Sequence, residues 1–82
     1  MVVFVESAFR HGYEEEDFFE VLELGPLKTR SRRGLKNVYE LYGRNFTGEY
    51  LHIAYRCEAD REVVFPMRAM SRREKHRLRK ML

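Results

Sequence analysis

The chain opens on an apolar run, Val2-Val3-Phe4-Val5, rich in β-branched residues, which predicts a short first strand. The period then changes. Ser7 is placed to cap a short helical turn reaching Arg10 or His11 and closed by Gly12. Residues 14–24 predict a helix, because Phe18, Phe19, Val21 and Leu22 form an apolar face at helical spacing. Glu14, Glu15, Glu16 and Asp17 crowd its first turn, where the helix dipole favours negative charge, and Gly25-Pro26 ends it. Helix stabilisation explains this acidic run better than metal binding does.

Beyond Pro26 the pattern is that of strands. Residues 27–32 predict one, followed by a turn at Arg33-Gly34; Val38 to Arg44 predicts the next, followed by a hairpin loop over 45–49. In the strand expected at 50–58, Leu51, Ile53, Tyr55 and Cys57 share one face, and His52, Ala54 and Arg56 the other. After a turn at Ala59-Asp60-Arg61, residues 62–70 set Val63, Phe65 and Met67 opposite Val64, Pro66 and Arg68. Pro66 has no backbone donor, so this strand should lie at an edge or be interrupted there. Ser71-Arg72-Arg73-Glu74 then forms a capping box that opens a last helix. Arg72, Arg73, Lys75, Arg77, Arg79 and Lys80 cover it, and Leu78, Met81 and Leu82 leave a narrow apolar strip.

The order of elements predicts one α+β domain spanning 1–82. N-terminal helices pack on a small antiparallel sheet of about four strands, with a basic helix at the C-terminal end. With 82 residues, 44% of them hydrophobic and 35% charged, the chain has room for one modest core. No apolar run approaches the ~18 residues of a membrane span, and Met-Val-Val-Phe-Val is too short for a signal peptide. The single cysteine, Cys57, cannot form an internal disulfide, and no Cys/His spacing resembles a zinc site. The expectation is a cytoplasmic protein without metal or cofactor.

The net charge of +3 conceals an asymmetry. Residues 1–26 carry seven carboxylates against Arg10 alone, whereas residues 27–82 carry fifteen Lys/Arg against six acids. Two faces so separated would attract polyanions on one side; the same halves could also simply neutralise each other. The helix dipole accounts for Arg79 and Lys80 but disfavours Arg72 and Arg73 in the first turn, where a nucleic-acid phosphate would suit them.

Tyr42-Gly43-Arg44, Gly48, Tyr50-Leu51 and then Met67-Arg68-Ala69-Met70-Ser71-Arg72-Arg73-Glu74 resemble, in order, the BrnT family of toxins. There a GR…G strand pair precedes a strand ending in (A/M)R, a short link and an (S/T)xxE helix opening. His11-Gly12 followed by Glu16-Asp17 is similar to an earlier segment of that family. The family's tryptophan–aspartate pair on the first strand is missing, since the chain has no Trp. The resemblance implies a RelE-like fold and a metal-independent endoribonuclease of a type II toxin–antitoxin system that blocks translation. It also implies a cognate antitoxin as partner, messenger RNA (free or on the ribosome) as substrate, and promoter DNA bound only through the antitoxin complex. A non-catalytic nucleic-acid- or protein-binding module on the same fold is the alternative.

RNA carries its own nucleophile, the 2′-hydroxyl, so the protein has to orient it, take its proton and stabilise charge on the phosphate. Guanidinium groups suit that last task, since they stay charged and grip phosphate oxygens in pairs. Arg44 and Arg68, at positions matching the family, are the first candidates, with Arg56 a third beside His52. Glu74 matches the family motif, although the capping box already gives it a role. Of the three histidines, His52 is the one on the likely open face of a strand; His11 sits at a helix end and His76 on a solvated helix. Arg30, Arg32, Arg33, Arg72, Arg73 and Lys75 are candidates for steering or binding RNA. Tyr42 and Tyr55 could stack on bases or fill core.

Overall fold

The computed structural model describes residues 1–31 and 34–81. The chain runs through β1 (Val2–Phe4), a single 3-10 turn (Glu6–Phe9), α1 (Glu15–Glu23), β2 (Leu27–Arg30), β3 (Val38–Arg44), β4 (Tyr50–Cys57), β5 (Glu62–Ala69) and α2 (Arg72–Met81). Among the described residues the strands form one sheet in the order β1-β5-β4-β3-β2. The α+β class holds, but the sheet has five strands and is mixed. The first apolar run pairs parallel to β5, Val3 opposite Val63, and extends the antiparallel meander β2 to β5. A lone strand of three residues has to join an edge to satisfy its backbone, and the β5 edge is open to it.

Ser7 lies inside the 3-10 turn, not at its cap; Val5 takes that position with no side-chain bond. In α1 the acidic first turn does more than answer the dipole. Asp17 Oδ2 accepts the Glu14 amide at 2.8 Å, and Asp17 Oδ1 accepts Asn45 Nδ2 at 3.0 Å. Glu20 Oε1 accepts the Phe46 amide at 2.8 Å. These bonds tie the β3–β4 loop to α1, and Gly48, at φ +89°, closes that loop.

One face of the sheet packs on α1. Leu41, Leu51, Ile53, Tyr55, Val64 and Met67 meet Ala8, Phe18 and Val21 there in the main core. The expected alternation in β5 fails at one point. Ile53 pairs with Met67 and Tyr55 with Val64, so β5 carries one residue more than β4 across this step. Phe65 and Pro66 fall in that bulge, which is how a strand accommodates a residue without an amide hydrogen. As a result Val64 and Met67, expected on opposite faces, share the α1 face. No helix among the described residues is long and apolar enough to cross a membrane.

Candidate functional site

The other face of the sheet carries the polar chemistry. The registers align Leu27, Tyr42, His52 and Arg68 as one row across β2, β3, β4 and β5. Helix α2 crosses this row: its Leu78, with Met70 from the link before the helix, packs with Tyr42 and Leu27 in a second, smaller core. The Ser71 cap fixes where α2 starts. Glu74 N–H donates to Ser71 Oγ at 3.1 Å, and the Ser71 amide donates to Glu74 Oε1 at 2.8 Å. That reciprocal pair aims the Glu74 carboxylate back toward the sheet, where Arg68 meets it with two parallel bonds of 2.8 Å. Arg68, first, and the Ser71 amide hold the Glu74 carboxyl down to about 2 in spite of partial burial. Glu74 in turn raises the Arg68 guanidinium above its ordinary value.

His52 is 7% exposed. Its Nε2 lies 2.7 Å from Glu40 Oε1, and the Tyr42 ring covers it at a centroid distance of 4.8 Å. Tyr42 Oη also donates to Glu40 Oε1, at 3.3 Å. A proton on Nε2 leaves Nδ1 an acceptor in the neutral ring, and Nδ1, buried from solvent, has no hydrogen-bond partner among the described residues. Glu40, Tyr42, His52, Arg68 and Glu74 together line a cleft of about 450 Å³, with Leu35 and Phe65 also in its lining. A carboxylate-oriented imidazole thus sits beside a guanidinium held in place by a second carboxylate. Such a set can hold an oxyanion and exchange a proton next to it.

Of the candidates named from sequence, His52, Arg68 and Glu74 come together in this cleft. Arg44 does not line it; it is exposed, two residues along β3 from Tyr42, beside Leu24 and Phe46. Arg56 is four residues along β4 from His52, about 13 Å away. There it bonds Glu58 through Nε at 3.1 Å and Nη2 at 2.9 Å, and Arg61 shares the same carboxylate. Arg30, at the end of the outer strand, borders a neighbouring cleft with Thr29 and Arg77. Arg72, Arg73 and Lys75 are exposed on α2, and Arg32 and Arg33 lie outside the described residues. Tyr55 fills the α1 core. None of the described ion pairs joins these cations to the carboxylates of α1.

Sequence reasoning missed Glu40. The signal was present: once the 45–49 loop makes Tyr42 face His52, alternation puts Glu40 on the same face one step away. Among the described residues no group of three or more His, Cys, Asp or Glu side chains is placed to hold a metal ion. No protein-family model matches this chain, and neither does any curated protein or solved structure.

Proposed function

We propose that this domain is a BrnT-type, RelE-like toxin of a type II toxin–antitoxin system: a cytoplasmic, metal-independent endoribonuclease that inhibits translation and is neutralised by a protein antitoxin. The observation that carries the reading is the cleft in which the Glu40–His52 pair stands beside the Arg68–Glu74 pair, under a helix bearing Arg72, Arg73 and Lys75. In this reading Glu40 keeps the Nε2 proton in place, so that Nδ1 is the atom free to take the 2′-hydroxyl proton. Arg68 still presents donors not used by Glu74, and its charge stabilises the phosphate as the 2′-oxygen attacks and the bond from phosphorus to the 5′-oxygen breaks, the leaving 5′-oxygen taking a proton from water. The Tyr42 ring covers His52 and has to swing aside for substrate to enter. Cations at the start of α2 draw the RNA backbone toward the cleft.

Induction of the chain in bacteria tests this. Growth arrest with cleaved messenger is expected, and both should disappear in His52→Gln and in Arg68→Ala variants that keep the wild-type circular dichroism spectrum. Harmless expression with intact RNA removes the enzyme reading.

One observation favours a second reading, a non-catalytic binding module on the same fold. Arg68 and Glu74 already neutralise each other, and His52 is covered. In that case RNA binding persists without cleavage and weakens steeply with salt.

A further inference from the structure

Arg44, which does not line the cleft, stands at the far end of a groove that borders it at Tyr42 and Glu74. Three clefts of about 260, 340 and 150 Å³ adjoin one another along the β2 side of the molecule. The first two share Leu24 and Arg44; the second and third share Leu27, Tyr42 and Leu78. They therefore make one continuous groove, from the β3–β4 loop past the end of β3 that extends beyond its pairing with β2 to the seam between β2 and α2. Its floor is apolar, and at one end Leu24, Phe46 and Tyr50 are 45%, 59% and 40% exposed. Arg44 stands at that end, and Arg30 and Arg77 at the other.

Among the described residues no carboxylate makes an ion pair with any of these three arginines. The one acid lining the groove, Glu74, is engaged by Arg68 and the Ser71 amide. Lys28, nearby on β2, sits over the Tyr39 ring on the α1 side at 4.6 Å, and so is not a groove cation. An apolar strip flanked by uncompensated cations is the complement of an amphipathic segment with carboxylates at both ends.

We propose that this groove docks an acidic, amphipathic segment of a partner protein. Its apolar side chains lie on Leu24, Leu27 and Leu78, and its carboxylates reach Arg44 at one end and Arg30 with Arg77 at the other. Between the two ends the floor is lined by Leu24, Pro26, Leu27 and Leu78 around the buried Tyr42 ring, while Phe46 and Tyr50 expose aromatic faces at the Arg44 end; the aliphatic stretch suits aliphatic side chains better than nucleobases, whose affinity comes from stacking on aromatic faces. In the acidic helix α1 of a second copy Asp17 and Glu20 are engaged by the hairpin loop while Glu15, Glu16 and Glu23 are exposed, so self-association through the groove is an outcome that the experiment has to separate. The groove adds a location and a chemistry to the neutralising partner of the toxin reading, and it rests on that reading for the partner's role alone.

Selection of a displayed library of random peptides on the immobilised chain tests the proposal without requiring RNA cleavage. Enriched peptides should carry Asp or Glu flanking apolar positions. Their affinity should fall at least about tenfold in Arg44→Glu, the size of loss expected when a charge partner is reversed, and stay unchanged in Arg61→Ala. Peptides without that signature, or peptides that bind Arg44→Glu as tightly as wild type, overturn it. So does displacement of the selected peptides by a single-stranded oligoribonucleotide, which would make the groove an RNA track. A sedimenting dimer that dissociates in Arg44→Glu overturns it too, by assigning the groove to a second copy. The induction experiment reads the cleft and the selection reads the groove, so one can fail while the other stands.

Discussion

At Gly43 the backbone of β3 passes so close to the Gly25-Pro26 corner that a Cβ there would lie 3.1 Å from Pro26 Cβ and 3.2 Å from Val21 Cγ1. Both neighbours are held, one by its ring and one in the core, so Gly43→Ala should cost about 1–3 kcal/mol in urea unfolding. Sequence named Gly43 only as part of the motif that carries the family resemblance; the contact gives it a packing role. Glu74 offers a pH test. Its carboxyl is held at about 2 against an ordinary 4.5, so the folded state favours the ionised form. The stabilisation is complete above pH 4.5 and is lost as the pH falls through about 2. With the Arg68 side chain 38% exposed and screened by water, its size is on the order of 2 kcal/mol. Glu74→Gln should flatten the acid limb of the stability profile in that window. An unchanged limb would mean that other carboxylates dominate it. The capping role of Glu74 was legible in the sequence. Its bond to Arg68 was not, because the helix had first to be laid across the sheet.

Among the elements, α2 was the most legible, since a capping box is a local signal that needs no tertiary partner. Ser71→Ala should cost about 1 kcal/mol in thermal or urea unfolding. Because the same cap aims Glu74 at Arg68, the substitution should also raise the Glu74 pKa, measurable by carboxyl-detected NMR. A stability loss with no change in that titration would separate the two roles. The meander β2 to β5 was legible from alternation and turn residues, as were Val38–Arg44 and the 45–49 loop. The bulge was half legible. Pro66 announced an interruption, but which faces Val64 and Met67 would take depends on where the extra residue falls, and that is decided by packing against α1. The parallel pairing of β1 with β5 was not legible, because a three-residue strand carries no information about its neighbour.

Over the whole molecule, the charge asymmetry becomes geometry. The α1 carboxylates Asp17 and Glu20 serve the hairpin loop, while Arg72, Arg73 and Lys75 stay exposed on α2. If α2 tracks an RNA backbone, log affinity should fall linearly with log salt. Arg72→Ala with Arg73→Ala should then shrink that slope by about 1.4, the share of two phosphate contacts on a single strand. A slope unaltered by the double substitution would remove α2 from the RNA path. The arginines do not all converge: Arg68 enters the cleft, Arg56 closes a turn with Glu58 and Arg44 lines the groove. By itself the sequence determined the α+β class, the starts of α1 and α2, the hairpin and the strand faces on either side of the bulge, because spacing, caps and turn residues act over a few neighbouring positions. Tertiary structure alone decided which charges meet. Glu40 reaching His52, Glu74 reaching Arg68 and Arg44 lacking an ion pair among the described residues all follow from strand register and from where α2 crosses the sheet, and these depend on contacts between residues far apart in the chain.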